Sequence, residues 1–355
     1  MALYLRPTAF IDSPIGFDGQ FMRLARGMSF FSAFEVIAVE DGGRVSKRLV
    51  RVGEIEEVVA GDALATATLT RLTSPRSALV LGERTIRLDQ PQVMGILNMT
   101  PDSFSDGGKH VGDVEAAASS GVAMAAAGAA IIDVGGESTR PGASAVWEGD
   151  EIARTQPVIE RLARAGVAVS IDTRKAAVMG AALAAGATLV NDVSGLCHDA
   201  QAVALMASAT CPIVVMHWPD VKTHEGGIYK DPLIETYNWL DARIAALEAA
   251  GIARSRLIVD PGIGFGKGVS ENLALLNGLS LFHGFGCPVL VGASRKRFIG
   301  ALAGEAPVEA RLAGSLAVAL KAAEQGAQIV RVHDVTETVQ ALKVWRGMRD
   351  QGLSG

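Results

Sequence analysis

The chain has 355 residues, 49% of them hydrophobic, with 40 glycines and a formal charge of −5, enough for one large domain or a large domain with a small companion. The acidic balance gives no bulk reason to expect nucleic acid as a partner, no run approaches the ~18 apolar residues that cross a membrane, and the opening MALYLRPTAF lacks the apolar core of a secretory leader. Cys197, Cys211 and Cys287 lie far apart with no metal or redox spacing, which fits thiols of a reducing, cytoplasmic compartment.

In chain order, residues 1–88 come first and follow no regular strand–helix rhythm. The stretch FEVIAVEDGGRVSKRLVRVGEIEEVVAG (34–61) has β-rich runs around a turn at Asp41–Gly43. It predicts a small α/β or β-rich N-terminal extension with no assignable chemistry. From 89 to 355 a unit repeats, an apolar run that ends in polar or glycine residues. The runs are VMGILN (93–98), AIIDVGG (130–136), VAVSID (167–172), TLVNDV (188–193), PIVVMH (212–217), RLIVDPG (256–262), PVLVGAS (288–294) and QIVRVH (328–333). Ala/Leu-rich segments such as 113–128, 175–186 and 309–326 read as helices between them, several closing in glycine. Strands alternating with helices predict an α/β fold with a parallel sheet, and eight such runs suit a closed (β/α)8 barrel. An open doubly wound sheet is the alternative built from the same units.

In a barrel, chemistry gathers at the carboxyl ends of the strands. Those ends carry Asn98; Glu137, Ser138, Thr139 and Arg140; Asp172; Asn191 and Asp192; Met216 and His217; Asp260; Ser294, Arg295 and Lys296; and Arg331 with His333. Any one of these could merely cap the next helix, but polar residues at all eight ends point to a site. Arg140, Lys296, Arg331 and His333 can hold a polyanion. The glycine loops SDGGK (105–109) and DPGIGFGKG (260–268) either let backbone N–H groups approach phosphate oxygens or simply make tight turns. Asp172, Asn191 and Asp260 can pair with the N–H and C=O edge of a heteroaromatic ring. Asn98 offers a neutral oxygen suited to Mg²⁺ already carried by a diphosphate.

Over residues 92 to about 349 the sequence resembles the dihydropteroate synthase family. GILNMTPDSFSDGG (95–108) and IIDVGGESTRPGA (131–143) look like its two long signatures, and SIDTRK (170–175), NDVSG (191–195), DPGIGFGK (260–267), GASRKRFIG (292–300) and IVRVHDV (329–335) follow in order. The resemblance implies condensation of 6-hydroxymethyl-7,8-dihydropterin diphosphate with 4-aminobenzoate, by an SN1-like path, with Mg²⁺ as cofactor. It implies a pterin site of Asp172, Asn191, Met216, Asp260, Phe265, Lys296 and Arg331, and a diphosphate site of Asn98, Arg331 and His333, with Asn98 on the metal. Phe104, Thr139, Arg140, Pro141, Phe265 and Lys296 would form the aminobenzoate pocket. Asp172, Lys296, Arg331, His333 and Asp106 would carry the catalysis. A homodimer built on the last helices, including 314–327, is implied as well. Two rivals share the barrel, a pterin-dependent methyltransferase and a non-catalytic paralogue, yet neither needs the diphosphate-binding residues. One departure stands out: MHWPDVKTHEGG (216–227) puts Trp218 where the family more often has methionine.

Overall fold

A computed structural model describes residues 1–16, 18–100, 113–138, 145–218 and 229–354. The assignments made to Phe104, Asp106, Thr139, Arg140 and Pro141 fall outside these residues.

The N-terminal extension is an antiparallel sheet of β1 (Ala2–Ile11), β2 (Met22–Arg23), β3 (Phe30–Glu40) and β4 (Gly43–Arg51), with β3 central. Asp41 and Gly42 both take positive φ, 50° and 76°, between the paired Glu40 and Gly43. This is the two-residue hairpin turn whose twist matches the strands. Helices α1 (Ile55–Val59) and α2 (Ala63–Thr73) follow, and Asp62 caps the second by accepting the Ala65 N–H at 2.9 Å. Leu5, Phe31, Phe34, Val36 and Val50 pack with Ile55, Val59 and Leu72 in a core of their own, while Ile37 and Val39 join the core of the barrel. Polar ties reinforce that seam. Tyr4 Oη donates to Asn238 Oδ1 at 2.6 Å, Ser280 Oγ donates to the Pro7 carbonyl at 2.7 Å, and Arg44 forms a forked pair with Asp231. The buried Arg76 guanidinium donates to the carbonyls of Arg71, Ser74, His283 and Cys287 at 2.9–3.0 Å.

The barrel strands are β7 (Gln92–Asn98), β8 (Ile131–Gly135), β9 (Val169–Asp172), β10 (Leu189–Asp192), β11 (Ile213–Met216), β12 (Leu257–Asp260), β13 (Leu290–Val291) and β14 (Ile329–Val332). They run parallel in the order β12-β11-β10-β9-β8-β7-β14-β13, and a parallel bridge between Val259 and Val289 joins the two ends. The ring is therefore a barrel and not an open sheet. Helices α3 (Val114–Ala126), α4 (Glu148–Arg164), α5 (Ala176–Ala184), α6 (Ala202–Ser208), α7 (Pro232–Ala249), α8 (Val269–Asn277), α9 (Arg297–Leu302), α10 (Leu312–Glu324) and α11 (Val335–Ser354) lie between and after the strands. Asp113 and Asp231 cap α3 and α7 through the N–H groups of Ala116 and Ile234. No described helix is long and apolar enough to cross a membrane.

The seventh strand is shorter than the run PVLVGAS suggests. After Val291 the chain leaves the sheet, and Arg295 takes a left-handed φ of 57°. Its N–H is held by Ser315 Oγ at 2.9 Å and its carbonyl by Arg311 at 3.1 Å. The strand is shortened to deliver Lys296 to the barrel mouth.

The opposite end is sealed. A hairpin of β5 (Leu79–Leu81) and β6 (Arg84–Ile86) sets Leu79, Leu81, Ile86 and Leu88 against Met94, Ile131, Ala168, Leu189, Val214, Ile258, Leu290 and Ile329. These last eight lie at or beside the amino-terminal ends of the strands. An apolar floor leaves the carboxyl end as the place for polar chemistry.

Candidate active site

Strand register brings the polar ends together. Asn98 pairs with Gly135, Gly135 with Asp172, and Asp172 with Asn191, while Met216 pairs with Asp260. Arg331 reaches in from β14. Its Nε lies 2.6 Å from Asp133 Oδ2 and its Nη2 lies 2.7 Å from Asp172 Oδ2. Asn191 Nδ2 donates to the same Asp133 oxygen at 2.9 Å. Asp133 is thus a central member of the cluster that reading strand ends alone misses, because it lies mid-strand. The available signal was a carboxylate inside an otherwise apolar parallel strand, IIDVG, where burial is tolerable only with partners.

The cluster is electrostatically tight. Burial pushes the Asp172 carboxyl up to about 7; Arg331 opposes this and Asp133 adds to it. Burial works against the Arg331 charge, but Asp133 and Asp172 more than offset it and hold the guanidinium above its usual value. Asp133 Oδ1 and Asp172 Oδ1 are buried and have no hydrogen-bond partner among the described residues. Two such acceptors suit a ligand that brings N–H donors. Burial also raises the Asp260 carboxyl, against its hydrogen bond from the Gly262 N–H and the nearby Lys296 and Lys267.

The glycine loop after β12 proves to be a tight turn. The N–H groups of Gly262, Gly264 and Phe265 are taken by Asp260 Oδ1 at 2.7 Å, Asn272 Oδ1 at 2.6 Å and the Gly262 carbonyl at 3.1 Å. A Cβ on Gly262, whose φ is +72°, would sit 2.1 Å from the His217 carbonyl oxygen, so no other residue fits. One on Gly264 would press to 2.8 Å from Lys296 Cδ. Lys296 lies against this turn, with its Nζ 4.0 Å from the centre of the Phe265 ring. Lys267 ties the turn from beneath, donating to the carbonyls of Gly262 and Phe265 at 2.9 and 3.2 Å. Burial pulls its ammonium down to about 7, with Asp260 opposing and Lys296 reinforcing.

Other strand-end residues divide by role. His333 Nδ1 lies 3.0 Å from Ser294 Oγ, which also accepts the His333 N–H at 3.2 Å, so Ser294 sets the ring's orientation. Arg295 is structural, paired with Asp334 at 3.0 Å. Asp192 is structural as well: it accepts from the N–H groups of Ser194 and Leu196 at 2.7 and 3.1 Å and holds the turn after β10. His217 packs edge-on against Trp239, ring centres 5.2 Å apart. Glu137 anchors the stem of the loop after β8. It accepts the Val146 N–H at 3.0 Å and pairs with Arg174 at 3.0 Å and Lys175 at 3.2 Å. Lys175 bonds on to the Val146 carbonyl at 2.7 Å and to Glu151 at 2.6 Å.

A family model described as "Pterin binding enzyme" matches residues 94–333. The dihydropteroate synthase of Escherichia coli K12 is 48% identical over 260 residues, 72% of this chain and 91% of that protein. This chain belongs to the dihydropteroate synthase family. A dihydropteroate synthase structure from Xanthomonas albilineans with 4-aminobenzoic acid aligns at a TM-score of 0.72 and 48% identity, covering 77% of this chain and 98% of that one. A second from that organism, in complex with 7,8-dihydropteroate, aligns at 0.69 and 45%, covering the same 77% and 98%. Membership bears out the resemblance read from the motifs and favours a dihydropteroate synthase over the methyltransferase rival. The family match begins at residue 94, so the N-terminal sheet lies outside it.

Proposed function

We propose that this chain condenses 6-hydroxymethyl-7,8-dihydropterin diphosphate with 4-aminobenzoate, forming 7,8-dihydropteroate and diphosphate. The observation that carries the reading is the buried Asp133–Arg331–Asp172 cluster with Asn191, in a barrel mouth that also holds Lys296 over Phe265. The pterin edge would be read by Asp172, Asn191 and Asp260, with Asp133 added to the set and Met216, Phe265, Lys296 and the face of Arg331 around the ring. Arg331 Nε and Nη2 are already engaged by carboxylates. Its part in holding diphosphate therefore falls to the remaining edge of the fork, with His333 and Asn98 beside it.

The aniline nitrogen of aminobenzoate is neutral at pH 7, so the reaction needs no strong base. The C–O bond to diphosphate breaks, the diphosphate takes the bonding pair, the amine nitrogen then adds to the CH₂ carbon, and the anilinium so formed is acidic enough to lose its proton to water. The difficult part is the departure of the leaving group. The electron-rich pterin spreads the charge of the CH₂ cation, and an ionised Asp172 stabilises it at close range, which favours a dissociative, SN1-like course. Magnesium, when bound with the diphosphate, would neutralise charge on the leaving group, and Asn98 is the residue we assign to it. Among the described residues no group of three or more His, Cys, Asp or Glu side chains gathers to hold a metal. That suits an ion whose other ligands are water and phosphate oxygens. The aminobenzoate pocket is assigned to Phe265 and Lys296 together with Phe104, Thr139, Arg140 and Pro141, and Asp106 joins the catalytic set.

We assign catalysis to residues 89–355 and treat 1–88 as an appended unit whose hairpin floors the barrel. Three free thiols fit a cytoplasmic enzyme. On α10, Ser315, Ala319, Ala322 and Ala323 face the barrel, while Leu312 and Leu316 are partly exposed beside exposed Ala313 and Ala317. That second apolar face supports a homodimer, which light scattering would test. The activity is tested by diphosphate release, which must require both substrates. Release with the pterin diphosphate alone, or no release with both, would overturn the reading.

A further inference from the structure

Trp218 stands just past the carboxyl end of the fifth barrel strand, Ile213–Met216. The indole is partly exposed. Its ring centre lies 5.0 Å from that of Phe265 at an interplanar angle of 49°, within the range of favourable aromatic pairs. Arg174 Cζ also lies 5.9 Å from the indole centre. That same guanidinium bonds Glu137, at the stem of the loop after β8, at 3.0 Å, and Phe265 in turn lies under Lys296 Nζ at 4.0 Å. Glu137, Arg174, Trp218, Phe265 and Lys296 thus form one continuous line of contacts across the carboxyl ends of β8, β9, β11, β12 and β13.

We propose that Trp218, seated by Arg174, is a specificity-determining wall of the aryl-amine subsite, extending the Phe265–Lys296 surface on which the aminobenzoate ring lies. The inference rests on the aminobenzoate-pocket reading of Phe265 and Lys296 given above. A surface of two tilted aromatic rings flanked by Arg174 and Lys296 is suited to a flat, anionic arene: the rings meet its π face and the cations its carboxylate. Trp218 packs on Phe265, which both pockets share, but is not among the groups that read the pterin edge, so the effect falls mainly on the arene. A purely structural role for Trp218, as a cover over Phe265, would instead move stability and both substrates together.

The test is steady-state kinetics on W218A, W218F and R174M, with F265A as a check on the pocket itself and thermal unfolding on each. W218A should raise KM for aminobenzoate about tenfold, the scale of a lost aromatic contact, while KM for the pterin diphosphate stays within twofold. W218F should restore most of the loss, and R174M should give a smaller, arene-selective rise. The proposal is overturned if W218A leaves KM for aminobenzoate within twofold of the parent, or raises both KM values equally. Should W218A not fold, the W218M variant is read by the same criteria. F265A separates the two readings. If it leaves KM for aminobenzoate unchanged, the pocket assignment itself fails; if it raises KM while W218A does not, only the role of Trp218 fails.

Discussion

Asp133→Asn probes the logic of the buried cluster. The substitution keeps the shape and removes one of the two negative charges that share the Arg331 fork. Two carboxylates on one guanidinium lie on the order of 5 Å apart, and at an effective dielectric of about 20 they repel by roughly 3 kcal/mol. Arg331 between them absorbs part of this. The relief felt by Asp172 is therefore expected to be about one pH unit, or ~1.4 kcal/mol. Burial and Asp133 together hold the Asp172 carboxyl near 7 in the parent, so affinity for a pterin that donates N–H groups should rise as pH climbs through that value. The ligand to use is 6-hydroxymethyl-7,8-dihydropterin, which carries no phosphate to titrate. Calorimetry from pH 5 to 9 should place the parent midpoint near 7 and the D133N midpoint about one unit lower. A midpoint that stays put or moves upward would refute the assigned coupling.

Three further expectations follow from the same geometry. Asp172→Asn should all but abolish turnover, and activity within threefold of the parent would remove Asp172 from the mechanism. Because its folded-state pKa, about 7, lies above the unfolded value of ~3.9, its contribution to stability is full at low pH and lost as pH rises through 7. The melting temperature of D172N relative to the parent should therefore climb between pH 4 and 8, and a flat difference would contradict the raised pKa. Lys296→Ala should weaken both substrates, each KM rising about tenfold by loss of a cation–π and charged contact, and unchanged values would make Lys296 a bystander. Gly262→Ala must fit a Cβ 2.1 Å from the His217 oxygen at a φ of +72°, and should cost about 3 kcal/mol or more in denaturant unfolding; a loss below about 1 kcal/mol would mean the turn can open.

Much of this architecture was legible because parallel strands announce themselves as short apolar runs and their polar ends as interruptions. Asp172, Asn191, Asp260 and Arg331 stand at such interruptions. The same habit hid Asp133, whose inward position depends on strand register and not on sequence place. It also gave no means to part Asn191, which faces the cluster, from Asp192, which bonds its own turn. The glycines of 262–266 looked equally suited to phosphates or a turn until their N–H partners were known. The extension's β content was readable from its β-rich runs and the turn at Asp41–Gly43. Its docking was not, because Tyr4 and Asn238, or Arg76 and His283, are neighbours only after folding.

The floor hairpin has a consequence for the order in which the molecule assembles. Leu79 and Leu81 leave the ribosome before any barrel strand, yet the surface that receives them includes Leu290 and Ile329, near the end of the chain. A plug made first and seated last must wait, with its apolar side chains exposed, for some 250 residues to be synthesised and ringed. The neighbouring antiparallel sheet has a separate core around Phe31 and Phe34, so that part of the extension need not wait for the barrel.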